Sequence, residues 1–316
     1  SHQAAFPVLL KPCRDPAEQN RYLTAQLRDY HAQGYAYEQM AILFRTNLGI
    51  RFVMDALMKG GIPFHMKDAI PNLFAHWISL DIIAYLRLVS GTGNTRANWL
   101  RIMNRPNRYI KREALAPFTS DISVAQLKAY YQDKDWMLER LDRLEYDLSI
   151  MKRMSPYAAI HYLSNAMKYQ DYLKDYATEH HINEQELLDV LNAVHESSQS
   201  CRTFAEWFTY IDTYTEELQK QAKSPASKDA NNESGVCLCT LHCAKGLEYP
   251  IVFIPDINED NIPHARAAVD ADLEEERRLF YVGITRAKEH LHLYCVGEAS
   301  GKEKFPSRFL EELNEM

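Results

Sequence analysis

Two arginines are of a type that could handle phosphate, though position singles out only the first. Arg45 directly follows Met40-Ala41-Ile42-Leu43-Phe44, a short apolar run that reads as a buried strand. Residues just past a strand end line the usual ligand edge of open α/β sheets. Arg286 is the penultimate residue of the run Glu274-Glu275-Glu276-Arg277-Arg278-Leu279-Phe280-Tyr281-Val282-Gly283-Ile284-Thr285-Arg286-Ala287, on an expected helix shared with Arg277, Arg278 and Lys288, so position alone does not single it out. A guanidinium is planar, permanently charged and able to bond two oxygens at once, which suits a phosphoryl group. Each residue also has a plainer reading when taken singly. An arginine past a strand is usually a surface ion-pair residue, and the Glu274–Arg278 run would be a solvated helix face with i,i+4 pairing. His242, in Thr240-Leu241-His242-Cys243-Ala244-Lys245-Gly246-Leu247-Glu248-Tyr249, would be an ordinary strand-end histidine. A further basic group, Arg101, Arg105, Arg108, Lys111 and Arg112, could contact nucleic-acid phosphates through side chains. A solvated basic helix end explains it equally well.

Other patterns imitate sites and fail on their chemistry. Gly297-Glu298-Ala299-Ser300-Gly301-Lys302-Glu303 resembles a phosphate loop, but its glycines are one residue too close. Glu303 also stands where a hydroxyl should hold magnesium, so the segment reads as a surface turn. Ile251-Val252-Phe253-Ile254-Pro255-Asp256 imitates a magnesium-orienting strand end, yet Ile257 occupies the place of a catalytic Glu, so Asp256 reads as structural. Cys237, Cys239 and Cys243 near His242 match no usual zinc spacing, and no metal ligand set is expected.

The elements that must position these residues follow from periodicity. Strands are expected at Met40–Phe44, Val236–Leu241, Ile251–Ile254 and Leu291–Val296, with a helix between the last two. A helix over 48–59 closes at Gly60-Gly61, and another carries Ile78, Ile82, Ile83, Leu86 and Val89 as one stripe. From about Asn98 to Gln221 strand signals vanish, while Asn183 with Glu186 and Thr203 with Glu206 match capping boxes. The expected organisation is an α/β domain built from residues 1–95 and 236–316. A helical domain over 96–222 interrupts it, with a polar return linker over 223–235.

Composition restricts the class. The chain has 316 residues, of which 46% are hydrophobic and 25% charged, as in a soluble globular protein of two domains. Net charge is −7, which argues against a histone-like binder but leaves room for a local basic track. No apolar run reaches the roughly 18–20 residues that span a bilayer, no signal-peptide pattern opens the chain, and the six cysteines form no disulfide framework. The expected compartment is the cytoplasm.

Three segments in order resemble the UvrD/Rep/PcrA type of superfamily 1 DNA helicase: Ala41–Asn47, Thr240–Tyr249 and Glu274–Ala287. Gly246, Tyr281 and Ala287 fall in register, and Pro263-His264-Ala265-Arg266 is similar to the loop between the last two motifs. The resemblance implies a second RecA-like domain, a P-loop NTPase-type parallel sheet without its own P-loop, interrupted by an all-helical accessory domain. It implies that Phe44 packs on adenine, that Arg45 and Arg286 reach the γ-phosphate, and that Gly246 and Glu248 belong to the nucleotide motif, Glu248 at the ribose. Thr240 and His242 would contact DNA, with Arg105, Arg108 and Lys111 as further DNA candidates. ATP and Mg2+ would be held mainly by an N-terminal RecA-like domain outside this chain, so the chain alone is expected to be inactive. The partners implied are single-stranded DNA and single-strand/duplex junctions, in DNA repair. Where the family often carries Pro-Lys-Arg-Gly-Ile-Gly, this chain has Pro106-Asn107-Arg108-Tyr109-Ile110-Lys111, so a clamp built on glycine backbone is not expected. The alternatives are a stand-alone, non-catalytic DNA-binding module and the helicase part of a recombination helicase–nuclease.

Overall fold

A computed structural model describes residues 8–67, 71–93, 95–119, 121–223, 234–265, 267, 270–299 and 301–314. The chain begins with β1 (Val8–Cys13), α1 (Pro16–Ala32), β2 (Met40–Phe44), α2 (Asn47–Gly60) and β3 (Phe64–Met66). Helices follow: α3 (Trp77–Ser90), α4 (Thr95–Ile102), α5 (Val124–Tyr130), α6 (Asp135–Met151), α7 (Pro156–Asn165), α8 (Tyr169–His180), α9 (Glu184–Ser197) and α10 (Phe204–Lys223). Then come β4 (Val236–Thr240), β5 (Tyr249–Ile254), α11 (Asp270–Ile284), β6 (Ala287–Val296), β7 (Glu298–Ala299), β8 (Lys302–Glu303) and α12 (Arg308–Asn314).

Residues 1–71 and 217–316 form one compact unit, and Asn72–Glu216 the other. The first is an α/β unit around a six-stranded sheet of order β1-β6-β5-β2-β4-β3, with every pairing parallel. Its centre is β2, whose five residues are all buried, as an all-apolar run covered on both faces must be. Local chemistry sets the flanking elements. Asp15 caps α1 by accepting the Glu18 amide, and Pro16 opens the helix. Gly61 ends α2 in the left-handed conformation. The strand β1 and the short edge strand β3 had no clear signal, because β1 alternates weakly and β3 spans three residues.

The second unit is helical throughout. Thr203 accepts the Glu206 amide while Glu206 accepts the Thr203 amide, which confirms that capping box at the start of α10. At α9, Asn183 caps through the amide of Gln185. The helix α3 differs from expectation: it packs on α4, α9, α6 and α7, so the helical unit begins at Asn72 rather than at residue 96. Its buried stripe was legible, but periodicity does not say which neighbour covers a stripe. Of the expected linker, Lys223 closes α10 and residues 224–233 lie outside the described residues. Among the described residues, no helix is long and apolar enough to cross a membrane.

In the α/β unit, His292 on β6 is buried, with Tyr30 Oη 2.8 Å from its Nε2 and its ring stacked on Phe253 at 4.7 Å. Burial, with His290 as a second cause, pushes its pKa down from 6.5 to about 4. The folded state therefore refuses a proton that the unfolded chain accepts, and stability present above pH 6.5 is lost as pH falls through about 4. Unfolding midpoints in urea should drop between pH 7 and pH 4.5 by a margin worth on the order of 2–3 kcal/mol. His292→Phe should remove that part of the drop; an unchanged pH dependence would mean that other groups carry it.

Candidate functional site

Arg45 leaves the C-terminal end of β2 and turns onto α11. Its Nε donates to Glu276 Oε2 at 2.9 Å and its Nη2 to Glu276 Oε1 at 2.6 Å, a two-pronged ion pair in which both side chains are largely buried. Glu276 Oε2 also accepts the backbone amide of His264 at 3.0 Å. Burial raises the Glu276 carboxyl, but the Arg45 guanidinium and the His264 amide outweigh it and hold the group below its usual range. Glu276 is the functional neighbour that the sequence concealed. In an acidic run it looked like one more solvated carboxylate, and only its inward place on α11 separates it from Glu274 and Glu275.

The same strand edge carries the Thr240 segment. Parallel register sets Phe44 beside Thr240, and the Leu241 amide donates to the Phe44 carbonyl at 2.8 Å, so Arg45 and Leu241 are brought side by side. Thr240 is half-buried, and its Oγ1 accepts the Cys243 amide at 3.4 Å, while His242 and Lys245 are exposed on the turn that follows. Gly246 has φ +85°, a left-handed turn that a residue without Cβ adopts at little cost. Gly283 on α11 has a different reason: a Cβ there would lie 2.4 Å from Leu241 Cδ2, so the Leu241 side chain would have to shift to admit one.

Phe44 departs from expectation. Its ring is 2% exposed, in the core below the start of α2, where a Cβ built on Gly49 would meet it at 3.3 Å. The last residue of a strand covered on both faces faces the interior, so no face of this ring is offered to a base.

Arg286 is also placed differently. It lies in the turn after α11 rather than on the helix, and Lys288 lies in β6. Its Nε donates to the Val282 carbonyl at 2.8 Å, Nη1 to the Leu247 carbonyl at 3.0 Å and Nη2 to Thr285 Oγ1 at 3.0 Å. Its own carbonyl accepts the Tyr249 amide at 2.9 Å, which sets it at the N-terminal ends of β5 and β6. Glu248 joins this second cluster through an exposed ion pair with Lys288 at 3.0 Å, a contact of little energetic weight. The structure thus groups Arg45 with Thr240 and His242 at one sheet edge, and Arg286 with Glu248 at the other. Glu276 and Val282, which hold the two guanidiniums, are separated by about 9 Å of helix rise.

Three of the five cations in the basic group of the helical unit, Arg101, Arg105 and Arg108, are turned inward. Arg105 Nη1 donates to Asp81 Oδ1 at 2.9 Å, Arg101 Nε lies 2.8 Å from the same oxygen, and Tyr169 Oη donates to Asp81 Oδ2 at 2.9 Å. Asp81 is fully buried on α3. Arg108 Nη1 donates to the carbonyls of Ile102 and Pro106. Arg105 and Arg108 therefore hold this unit together. A charge cluster on a helix end reads as solvated only when the facing carboxylate is not foreseen, and Asp81 lies far from it in sequence. Lys111 remains exposed.

The decoys resolve as structure. Gln19 Nε2 donates to Asp256 Oδ1 and Gln19 Oε1 accepts the Asp256 amide, which occupies that side chain. The segment from Gly297 forms the two-stranded hairpin β7–β8, with the Gly297 amide donating to the Cys13 carbonyl. In the Pro263–Arg266 loop, Arg266 lies outside the described residues.

A family model of the UvrD-like helicase C-terminal domain matches residues 4–297. The chain is 29% identical to a putative ATP-dependent DNA helicase, YjcD, of Bacillus subtilis, over 97% of this chain and 40% of that protein. It is 28% identical to the ATP-dependent DNA helicase PcrA of Staphylococcus epidermidis and to that of Staphylococcus aureus, over 96% of this chain and 43% of each. The chain thus spans less than half the length of these relatives.

The inward bonding of Arg105 predicts its phenotype. Arg105→Ala should lower the unfolding free energy of the chain by about 1–2 kcal/mol, the low end for bonds to charged groups because its side chain is 39% exposed. If the variant unfolds like the parent in urea, the Asp81 network does not carry the unit. Glu276→Gln should likewise destabilise, by about 1–3 kcal/mol, because it leaves a largely buried guanidinium facing a neutral amide. Its effect should be present at pH 7 and fade as pH falls through the lowered pKa of Glu276, where the parent itself becomes protonated.

Proposed function

The chain belongs to the UvrD-like helicase C-terminal domain family, and we propose that it is the C-terminal half of an ATP-dependent DNA helicase or single-strand translocase moving 3′ to 5′. On this reading it supplies arginines and DNA contacts to a nucleotide site completed by an N-terminal RecA-like domain of the same parent protein. The observation that carries the proposal is the Arg45–Glu276 pair beside the exposed His242 turn. A guanidinium already fixed as a two-pronged donor loses little freedom when it exchanges carboxylate oxygens for phosphoryl oxygens. Charge stabilisation at the γ-phosphate is where such an arginine contributes most.

Arg45 would leave Glu276 for the γ-phosphate as the two RecA-like domains close, and Glu276 would take it back when they open. Arg286 would release its carbonyl partners and enter from the opposite sheet edge, with Glu248 beside it at the ribose. Phe44 would serve from within the core, below the Gly49 turn, instead of stacking on the base. Among the described residues no group of three or more His, Cys, Asp or Glu could hold a metal ion. The Mg2+ that accompanies ATP would be held mainly by the partner domain. Thr240 and His242 would contact the single strand, so that movement of the Arg45 edge is felt at DNA.

The test is DNA-stimulated ATP hydrolysis by this chain joined to its phosphate-loop domain. Arg45→Ala and Arg286→Ala should each reduce turnover roughly 10³-fold while leaving the chain folded. Turnover unchanged in either variant would remove that arginine from the proposed role. His242→Ala should instead weaken DNA stimulation and spare the basal rate.

A further inference from the structure

We propose that Tyr109, Arg140 and Trp136 form a stacking platform for an unpaired DNA base on the helical unit, with Lys111 and Arg112 placed for the adjoining phosphates. This rests on the DNA-translocase reading above and adds a base-contact site to it.

The backbone gives the first reason. Tyr109 has φ +58°, a conformation that costs free energy for a bulky residue and that glycine adopts freely. It is nevertheless tightly held. The Tyr109 amide donates to Asn107 Oδ1 at 3.1 Å, while Asn104 Oδ1 accepts the amides of Arg108 and Ile110 on either side. Asn104 Nδ2 in turn donates to the Ile110 carbonyl at 2.9 Å, and Ile110 is buried. The strain therefore sits in a rigid loop, and no core packing accounts for it, since the Tyr109 side chain is 59% exposed.

The second reason is what the ring faces. The Arg140 guanidinium lies 5.0 Å from the Tyr109 ring centroid and 5.1 Å from that of Trp136, one turn earlier on α6. Trp136 is itself 51% exposed. Two exposed aromatic rings held by one shared cation present ordered π-faces to solvent, and every nucleobase has a π-face to match. Charge supports a nucleic acid as occupant. From Arg105 to Arg112 the chain carries four cations and no carboxylate. Arg105 and Arg108 are bonded inward, whereas Lys111 and Arg112 are exposed beside Tyr109.

The test uses the whole chain and a tailed duplex with 2-aminopurine at successive single-strand positions, at low salt. The parent chain should quench the probe at one or two adjacent positions. Tyr109→Gly keeps the backbone conformation without its strain, so it should unfold no earlier than the parent. It should nonetheless lose the quench and bind about tenfold more weakly, the effect of one stacking partner. Tyr109→Phe should retain both, and Lys111→Ala should lower the salt dependence of binding without removing the quench. Parent-like quenching and affinity in Tyr109→Gly would overturn the platform while leaving the DNA reading intact, and would assign the exposed rings to a protein partner. Failure of the parent chain to bind any DNA would remove both.

Discussion

The arrangement depends on β4 entering the sheet between β2 and β3. The chain lays these two strands down early, leaves through the helical unit, and on return must slot a strand between them. The fit is close. The Val236 amide donates to the Pro63 carbonyl at 2.9 Å, and the Gly235 amide donates to Glu38 Oε1 at 3.0 Å. A Cβ on Gly235 would stand 2.4 Å from the Pro63 backbone, and the residue has φ +99°. No other residue type satisfies both conditions. With β4 seated, Thr240 is in register with Phe44, and everything at that edge follows: the Leu241 amide reaches the Phe44 carbonyl, the His242 turn projects, and Arg45 is directed onto α11.

A common electrostatic solution then recurs in both units. Arginine cannot shed its charge, so each partly buried guanidinium needs acceptors supplied by the fold. In the α/β unit Glu276 provides two oxygens to Arg45, and in the helical unit Asp81 accepts from Arg105, with Arg101 beside it, and from Tyr169. The outcomes differ with the surroundings. Glu276 stands at a sheet edge where another anion could replace it, whereas Asp81 is fully buried among helices and serves to join α3, α4 and α8. Arg286 represents a third case, held by two carbonyls and the Thr285 hydroxyl, with no carboxylate among these contacts.

What could be read from the chain before its structure was limited by range. The strands β2, β4, β5 and β6, the helix end at Gly61 and the Thr203 cap were legible because each is a property of a few adjacent residues. Arg45 could be placed past a strand end for the same reason. Its partner could not, since Glu276 is over two hundred residues away and looks like its acidic neighbours. The inward turn of Arg105 and the removal of α3 to the helical unit were hidden likewise, as both depend on which surface meets which. Phe44 shows a further limit: motif position suggested an available ring, but a central strand buried on both faces closes the core over its last residue.

The contacts of α11 also constrain how the Arg45 edge could respond to a ligand. This helix carries Glu276 at its middle and Val282, which accepts from Arg286, near its C-terminal end. Just past Val282, Gly283 is pressed onto Leu241 so closely that an added Cβ would displace the Leu241 side chain, and Phe280 and Leu241 lie in one continuous core. Sliding α11 by a turn would move it about 5.4 Å and drive side chains into that contact. Rotation about χ angles of Arg45 costs far less, and it exposes the same carboxylate that the amide of His264 already holds in place. On the proposed reading, the response that fits this packing would be a local exchange of oxygen partners at a fixed helix, with Glu276 retained by its backbone donor.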